Sequence, residues 1–557
     1  MRSLNSLAGW EQGSKAPASA AQIEVLTHLE DAVRGFAPPA QVLRPEEAAE
    51  ELLGPGHPYD QKGGSPASLG VYDPALISIP STGSQPVDLC ERLPSEARKF
   101  LVDYEHHLLL NDEEWGHEME TGVCIHNYWD PVLKKSRSSY EQFVRMLHQA
   151  GMIAFTKRPL GRTGVFFVKK KNGKLRMVLD CRSINRRFRR TPHIPMGTGS
   201  TWADVVLDTN EEAWFALSDL QDYFYSLLMP EGLMSYFCLD AVNDAFLGTL
   251  ESPQLLGDPG LAGEWSPCLK MVPMGWSWSF FFAQIAHSAE VQTALDLPAG
   301  CLLVDRRPAP VLAPGVTLAL PYCDNLTVAT TAQASCNRAR LQSAAHCRKV
   351  GYKVHEEVAA TQWAESLGFV LDGLAGRFSG SPVRGWKLRQ ALRMMERRPS
   401  ISGAQMEKLL GHVTFYVLPR RELLSALSSC YAFVRERYHF KTRLWRSAAS
   451  ECRIIADLLP LITVDWKQPW ADTCFMTDAS PSGFGVMEAN LHPSEQALIG
   501  AFDERWRFRH EYSQATGPRA SALGVMDPFP GRQHRQARGR PGARALGRGA
   551  GLPAGAA

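Results

Sequence analysis

Apolar residues recur along the chain at the spacing of a helix in some segments and at that of a strand in others. Between Leu89 and Gly151 the spacing is helical. The clearest helix there has one apolar stripe, and Gly151 marks its predicted end; the stripe consists of Tyr140, Phe143, Val144, Met146 and Leu147. Further helices are predicted at 277–295, at 333–350 and, beyond Pro399, up to about Pro460.

Strand-like spacing surrounds two tight turns. In the first predicted hairpin, apolar runs at 164–168 and 175–179 flank residues 171–174, where Asn172-Gly173 favours the positive φ of a short turn. In the second, runs at 317–320 and 326–329 flank the turn 322–325. Two more strands are predicted, one at 213–217 that leads into Ser218-Asp219 and one at 473–477 that ends at Asp478.

The composition is that of a globular protein with a near-neutral average charge. The 557 residues are 45% hydrophobic and 21% charged, with a net charge of +2. Lys169 to Arg190 nevertheless holds ten Lys or Arg and one acid, Asp180, a density that can neutralise phosphates. The twelve cysteines form no CxxC pair, which disfavours zinc ribbons and fits a reducing compartment. No apolar run approaches the ~18 residues of a membrane span, so an intracellular, soluble protein without membrane partners is expected, nuclear or cytoplasmic.

The two ends of the chain differ in composition from its middle. Residues 1–85 are rich in Ala, Gly, Pro and Ser, and we expect them to be low-complexity, disordered or loosely helical. Residues 531–557 contain seven Gly, seven Ala, six Arg and no acid, which predicts a basic low-complexity tail without a core.

Two aspartates are candidates for chemistry because of where the predicted strands place them. Asp219 follows a strand and Asp324 lies in a hairpin turn, 105 positions later in the chain. Carboxylates on rigid neighbouring strands can hold Mg²⁺ ions, and two such ions promote nucleotidyl transfer. Either aspartate alone is more often a plain turn residue. The functional interpretation therefore depends on the sequence motifs that surround these two residues.

The surrounding motifs, in their order along the chain, resemble those of reverse transcriptases from retroelements. Residues 167–185 resemble the fingers hairpin of that family. Three further segments resemble its first, second and third palm motifs: Ser218–Phe224 (Ser-Asp-Leu-Gln-Asp-Tyr-Phe), Met271–Ser279 (Met-Val-Pro-Met-Gly-Trp-Ser-Trp-Ser) and Tyr322-Cys323-Asp324-Asn325. Residues 367–371 resemble the strand before the primer-gripping region. The motifs cover about residues 130–375 in the family's order. The resemblance implies an α+β right-hand polymerase that makes DNA on an RNA template.

The resemblance also implies roles for individual residues. Asp219 and Asp324 would bind two Mg²⁺ ions, with Mn²⁺ as an alternative, and Asn325 would complete the catalytic turn. The triphosphate of a deoxynucleotide would meet Lys169 or Lys170 together with Arg176, and Asp222 would add a backbone contact. Phe224 would block a ribose 2′-hydroxyl, while Met274 and Gly275 would lie near the incoming base and the template. The implied partners are deoxynucleoside triphosphates and an RNA or DNA template with its primer; protein partners stay undetermined.

The resemblance divides the chain into segments. After residues 1–85 come a helical lead-in (86–130), fingers and palm (131–375) and a helical thumb or connection (376–465). Residues 466–530 resemble part of a ribonuclease H domain, in which Asp478 would be the first metal ligand. Residues 531–557 form the tail.

Asn325 leaves a second function open. The family's third palm motif usually ends in Asp-Asp, whereas here the second position is an uncharged amide. The rival hypothesis is therefore a decayed retroelement remnant that keeps the fold and nucleic-acid binding and catalyses nothing. A third hypothesis, an RNA-directed RNA polymerase, is disfavoured by the aromatic ring of Phe224.

Overall fold

The structure, a computed structural model, combines helices with antiparallel sheets, in agreement with the expected α+β class. It describes residues 19–54, 69–80, 86–170, 172–257, 260, 262–298, 300–305, 307–480 and 483–500. Within these residues no helix is both long and apolar enough to cross a membrane.

A four-stranded antiparallel sheet, here called the central sheet, carries the candidate aspartates. Its strands lie in the order Leu318–Tyr322, Asn325–Thr330, Trp214–Leu220 and Val354–Thr361. The predicted second hairpin is thereby confirmed. The sheet is buried on both faces: Phe215 and Leu318 lie on one side and Val328 on the other, since successive residues of a strand point to opposite faces. Two helices pack against the sheet, Ser279–Leu295 and Gln333–Val350, both close to their predicted bounds.

A second four-stranded sheet, here called the hairpin sheet, is built on the other predicted hairpin. Gly164–Lys169 pairs with Leu175–Asp180, and Gly173 in the turn adopts a φ of 79°, as the Asn-Gly pair predicts. Two short strands from the N-terminal region cover its edges. Leu69–Gly70 pairs antiparallel with the first strand, and Ile77–Ser78 pairs parallel with the second.

Short helices precede and follow these sheets. The predicted stripe between residues 137 and 149 is confirmed as a helix with Tyr140, Phe143, Val144 and Leu147 buried, and Gly151 follows it with a φ of 69°. The other helices of this part are Leu89–Arg92, Ser95–Val102, Tyr104–His107, Asp112–Glu120, Pro131–Lys135, Arg182–Asn185, Gly199–Asp204 (3-10), Tyr223–Ser226, Glu231–Met234 and Asp244–Leu247. The remaining short strands are Val87–Asp88, Ile153–Thr156, Leu227–Leu228, Leu255–Leu256 and Ser266–Leu269.

The segment 376–465 is not helical throughout. It begins with strand Arg377–Gly380 and ends with Thr463–Asp465, which pair with each other and extend the hairpin Trp363–Ser366/Phe369–Asp372 into one sheet. The alternating burial of Phe378 and Gly380 fits a strand, a pattern too short to be distinguished in sequence. Between these strands lie the predicted helices, here called the helical unit: Pro382–Met394, Gly403–Tyr416, Leu418–Leu427 (3-10), Ser428–Glu436, Arg446–Leu458 and Leu459–Leu461 (3-10).

The N-terminal region is more ordered than its composition predicts. Residues 20–35 and 45–53 are helices, Ala20–Gly35 and Pro45–Leu53, the first with a capping box at Ser19. Ala48, Ala49 and Leu53 are buried against the helix Pro382–Met394. Small alanine side chains permit this close approach, and tertiary contacts supply the stability that the local sequence lacks. Residues 1–18, 55–68 and 81–85 lie outside the described part of the chain, as does the tail predicted at 531–557.

Phe36 joins this region to the helical unit, so its removal should destabilise the protein. Its ring stacks on Trp386 with centroids 5.5 Å apart, and its carbonyl accepts a hydrogen bond from Trp386 Nε1 at 3.0 Å. Phe36→Ala should lower the unfolding free energy by about 1–2 kcal/mol, measured by urea denaturation. Ile23→Ala, at a 56% exposed position of the preceding helix, is the control and should have little effect. Equal loss in both variants would contradict the docking of Phe36.

The segment after residue 466 contains a two-stranded hairpin and a short helix. Strand Thr473–Ser480 pairs with Gly483–Asn490, and helix Pro493–Gly500 follows. The first strand continues two residues beyond the predicted end at Asp478, because the cross-strand pairing continues to Ser480. The ring of Phe484 is 85% exposed. Residues 501–530 lie outside the described part, so the ribonuclease-H-like assignment of 466–530 stays a prediction.

Candidate active site

Asp219 lies inside the central sheet, between two polar neighbours. The strand predicted at 213–217 continues to Leu220, because pairing on both sides extends to this end. Asp219 faces Asn325 on one neighbouring strand and His355 on the other. His355 Nδ1 lies 2.9 Å from Asp219 Oδ1, without hydrogen-bond geometry. Asp219 is thus held by a rigid strand rather than by a loop.

The turn at 322–325 brings Asp324 to the same edge of the sheet. Cys323 and Asp324 are its two central residues, and Cys323 adopts a φ of 55°. The amide of Leu220 donates to the Asp324 carbonyl at 2.9 Å, which ties the turn to the Asp219 strand. Asn325 Nδ2 donates to Asp324 Oδ1 at 3.0 Å. Residues far apart in sequence therefore meet where the sequence predicted a shared site.

Burial makes both carboxyl groups costly to charge, and the charge of Asp324 adds to this cost at Asp219. Burial raises the pKa of Asp219 to about 6, and the negative charge of Asp324 adds to that shift. Burial also raises the pKa of Asp324. Arg176, from the hairpin sheet, acts in the opposite direction on the pKa of both groups. Two half-buried carboxylates that repel one another form an arrangement that a cation would stabilise.

The raised pKa of Asp219, caused first by burial and then by the charge of Asp324, predicts a pH-dependent effect of Asp219→Asn on stability. A carboxyl whose native pKa is raised binds its proton more tightly in the folded than in the unfolded state. The wild type should therefore lose stability as pH rises from about 4 to about 6. Asp219→Asn lacks this charge, so its Tm should exceed that of the wild type by about 2 °C at pH 7.5 and by nothing at pH 4. Calorimetry at both pH values measures the difference in Tm. An Asp219→Asn variant less stable than the wild type at pH 7.5 would contradict the prediction. Asp296→Asn, at an exposed position, is the control.

The donor atoms fit Mg²⁺ bound with few protein ligands. Among the described residues no three His, Cys, Asp or Glu side chains converge as a metal site. Mg²⁺ is commonly held by one or two carboxylates, with waters and substrate phosphates supplying the other oxygens. Asp219 and Asp324 provide those carboxylates, and Asn325 adds an amide oxygen without charge.

A cavity of about 610 Å³ separates the hairpin sheet from the loop that precedes helix Ser279–Leu295. Four of the predicted nucleotide-binding residues line it: Arg176, Phe224, Met274 and Gly275. Aromatic side chains form much of the remaining wall, namely Tyr128, Phe166, Trp276 and Phe280. Since the charge of Arg176 also acts on Asp219 and Asp324, this side chain links the cavity to the carboxylates.

The other three predicted nucleotide-binding residues do not line this cavity. Lys169 is exposed at the end of its strand. Lys170 Nζ donates to Ser78 Oγ at 2.8 Å; burial lowers the Lys170 pKa, and the charges of Asp222 and Asp219 oppose this shift. Asp222 adopts a φ of 52°, a region disfavoured for residues other than glycine. Of the three, Lys170 lies near enough to Asp219 and Asp222 for their charges to act on its pKa.

Gly275 lies where the loop before helix Ser279–Leu295 passes close to the hairpin sheet. Its φ is 126°, and a Cβ placed there would lie 2.1 Å from the Leu179 carbonyl oxygen. Met274 accepts a hydrogen bond from the Leu179 amide at 3.1 Å. Asn185 binds both sides of the loop, because its Nδ2 donates to the Gly275 carbonyl and its Oδ1 accepts from the Ser277 amide. Glycine is required here by space and by backbone conformation.

The basic block at 169–190 is partly neutralised within the protein. Helix Asp112–Glu120 supplies acidic partners to its second half, in which Arg186 contacts Glu118 at 2.7 Å and Arg189 contacts Glu114 at 2.6 Å. Arg182 pairs with Asp180 at 2.6 Å. The block is therefore less available to phosphates than its composition predicts. Among its described residues, the exposed cations are Lys169, Lys174, Arg176 and Arg190.

Three residues near the carboxylates were missed by the sequence reasoning. His355 faces Asp219 across a strand pair that no local motif marks. Gln284 and His287 are fully buried on helix Ser279–Leu295 and contact the 322–325 turn. They are the two polar residues of the otherwise apolar stretch 280–287, and this was the signal that could have found them. Trp276 and Trp278 are buried, and both rings pack against Phe282.

Comparisons with known proteins give little beyond this geometry. No model of a known protein family matches the sequence, and no curated protein matches it. Among solved structures, the chain is similar to a foamy viral protease-reverse transcriptase in complex with double-stranded DNA, at 14% sequence identity and a TM-score of 0.43. The similarity covers 72% of this chain and 64% of that one, so the chain spans less than two thirds of that protein's length. A likeness of this size shows neither the family nor the function of the chain.

Proposed function

We propose that the protein is an RNA-directed DNA polymerase that adds deoxynucleotides to a primer. One observation carries the proposal: Asp219 and Asp324 meet at one edge of the central sheet, and Arg176 joins them to a cavity lined by Phe224, Met274 and Gly275. The ordered sequence motifs independently predict the same residues for this chemistry. Carboxylates beside a cation and an apolar, aromatic cavity are suited to a triphosphate and its base.

In this proposal, different residues of the site would bind the phosphates, the sugar and the base of the nucleotide. Asp219 and Asp324 would hold two Mg²⁺ ions, or Mn²⁺ in their place, and the ions supply activation of the primer 3′-hydroxyl and screening of the triphosphate. Arg176 offers a planar fork for two phosphate oxygens, and Lys169, Lys170 and the Asp222 backbone would lie at the same end of the nucleotide. Phe224 would exclude a ribose 2′-hydroxyl. Met274 and Gly275 would border the base and the template.

In this proposal the parts of the fold correspond to those of a right-handed polymerase. The hairpin sheet would be the fingers, the central sheet the palm and the helical unit the thumb or connection. The hairpin that contains Asp478 would begin a ribonuclease-H-like segment. The template would be RNA or DNA with an annealed primer.

Primer extension tests the proposed function. Purified protein should extend a DNA primer on an RNA template with deoxynucleotides and Mg²⁺ or Mn²⁺, and Asp219→Asn should be inactive in the same assay. Folded protein that binds primer–template and incorporates no nucleotide with either ion would overturn the proposal. Ribonucleotides should be used poorly, because of the Phe224 ring. Equal use of both sugars would instead favour an RNA-directed RNA polymerase.

The second candidate, a folded remnant without catalysis, is favoured by one observation. Asn325 occupies the position opposite Asp219 and contributes an amide that binds Asp324, so this edge of the sheet carries one carboxylate fewer than the family motif.

Asn325→Asp distinguishes decay of the metal site from another defect. A third carboxylate should strengthen Mg²⁺ binding, and we expect primer extension in Mg²⁺ to rise by about tenfold or more. If the wild type is inactive and the variant active, decay of this position was the defect. Asn172→Asp, which adds the same charge in the exposed hairpin turn, is the control. Unchanged or lower extension by Asn325→Asp would contradict the prediction.

A further inference from the structure

The turn that carries Asp324 holds a backbone conformation that needs support. Cys323 is buried and adopts a φ of 55°, although it carries a side chain. Such a conformation is costly for a residue other than glycine and persists where the surroundings over-determine it. The buried amide and carbonyl of Cys323 also require hydrogen-bond partners.

Helix Ser279–Leu295 supplies both partners. Gln284 Oε1 accepts from the Cys323 amide at 2.7 Å, and Gln284 Nε2 donates to the Pro321 carbonyl at 3.0 Å. His287 Nδ1 lies 2.6 Å from the Cys323 carbonyl oxygen. Gln284 and His287 are three residues apart, which places them on the same face of the helix. The peptide units on both sides of Cys323 are thus held by one rigid element.

The chemistry of the carbonyl determines how His287 binds. A carbonyl oxygen only accepts, so His287 must carry its proton on Nδ1. Burial lowers the pKa of His287 to about 4, which keeps the ring neutral at ordinary pH. Gln284 is held in turn, because its Nε2 also donates to Ser288 Oγ at 3.0 Å.

We infer that Gln284 and His287 are positioning residues that hold the Cys323 backbone, and through it Asp324, in the geometry for binding a divalent cation beside Asp219. The inference rests on the proposed function, since it assigns these residues to the same metal site. Neither side chain touches the ion or the substrate. Both act only through the turn.

Mn²⁺ binding and amide exchange test this inference together. The variants are His287→Leu, which removes the donor, His287→Asn, which keeps a donor near the Nδ1 position, and Gln284→Leu. Phe281→Leu is the matched control, because Phe281 is buried on the same helix and packs on Phe100 and Trp278 instead of the turn. Mn²⁺ affinity is measured by electron paramagnetic resonance, with Asp324→Asn defining binding at the site. Hydrogen–deuterium exchange is measured over residues 318–330.

His287→Leu and Gln284→Leu should weaken Mn²⁺ binding by about tenfold. This is the lower end of the loss in metal affinity expected when a group that orients a metal ligand is removed. They should accelerate amide exchange at 322–325 by about tenfold, as expected for one lost buried hydrogen bond. His287→Asn should recover most of both effects. Phe281→Leu should lower Tm and leave both readouts unchanged.

The outcomes separate the inference from the proposed function. If His287→Leu or Gln284→Leu folds and its turn amides exchange at the wild-type rate, the inference is overturned. Rapid amide exchange of this turn in the wild-type protein would overturn it as well. Altered exchange with unchanged Mn²⁺ affinity overturns the link to the metal. If the wild type shows no Mn²⁺ binding that Asp324→Asn removes, the proposed metal site fails, while exchange still decides whether Gln284 and His287 hold the turn.

Discussion

Gly275→Ala should destabilise the protein by roughly 3 kcal/mol or more, because the new methyl group meets backbone. A Cβ at this position would lie 2.1 Å from the Leu179 carbonyl oxygen and 3.3 Å from its carbon. Leu179 belongs to a paired strand, so it cannot move without disturbing the hairpin sheet. The φ of 126° adds strain for any residue with a side chain. Chemical denaturation measures the loss.

Gly263→Ala separates the two causes of this effect. Its φ of 119° is similar, and no atom lies within 4 Å of a Cβ placed there. It should therefore show only the conformational strain, about 1 kcal/mol. Equal losses at the two positions would mean that the contact between the loop and Leu179 is not as tight as described. Since Gly275 also lines the cavity, a folded Gly275→Ala variant should bind nucleotide more weakly than Gly263→Ala.

Asp324→Asn should reduce nucleotide addition by about 10²–10³-fold, the effect expected when a group that stabilises transition-state charge is lost. The substitution keeps the shape of the side chain and removes the negative charge that helps raise the pKa of Asp219. Divalent cation binding should fall with the rate, while folding is retained, because repulsion between the two carboxyls is relieved. Single-turnover primer extension and Mn²⁺ titration measure the two quantities.

Asp296→Asn is the matched control for Asp324→Asn. Asp296 is an exposed carboxylate that ends helix Ser279–Leu295. Its substitution should change neither the rate nor Mn²⁺ affinity. An Asp324→Asn protein that extends primers at the wild-type rate would remove Asp324 from the catalytic site, and with it the central support for a polymerase.

Much of the local structure could be predicted because its signals are local. The Asn172-Gly173 pair specifies its own hairpin through the φ that glycine allows, and the helix 333–350 follows from apolar spacing. The order at residues 19–54 could not be predicted, because Ala48 and Ala49 gain their stability from a helix more than 330 positions away. The strand Arg377–Gly380 escaped prediction for the same reason, since its partners lie on both sides of a long helical segment.

Sequence motifs predicted some residues of the candidate site, whereas the residues that join it only through tertiary contacts could not be predicted. Asp219, Asp324 and the cavity residues Phe224 and Gly275 stand in recognisable sequence patterns. Neither His355 nor His287 belongs to such a pattern, because each acts through a residue distant along the chain. The acidic partners of Arg186 and Arg189 were equally invisible, and they change how much of the basic block can meet phosphates.

By itself, the sequence determined which residue types stand at the ends of strands and in the tight turns, because φ preferences and apolar spacing act over a few neighbouring residues. Only the tertiary structure decided that burial and the charge of Asp324 raise the pKa of Asp219, since a pKa depends on burial and on charges a few Å away. The tertiary structure also decided that the turn at Cys323 is held from helix Ser279–Leu295, because a buried backbone group is satisfied by whichever side chain packing brings to it.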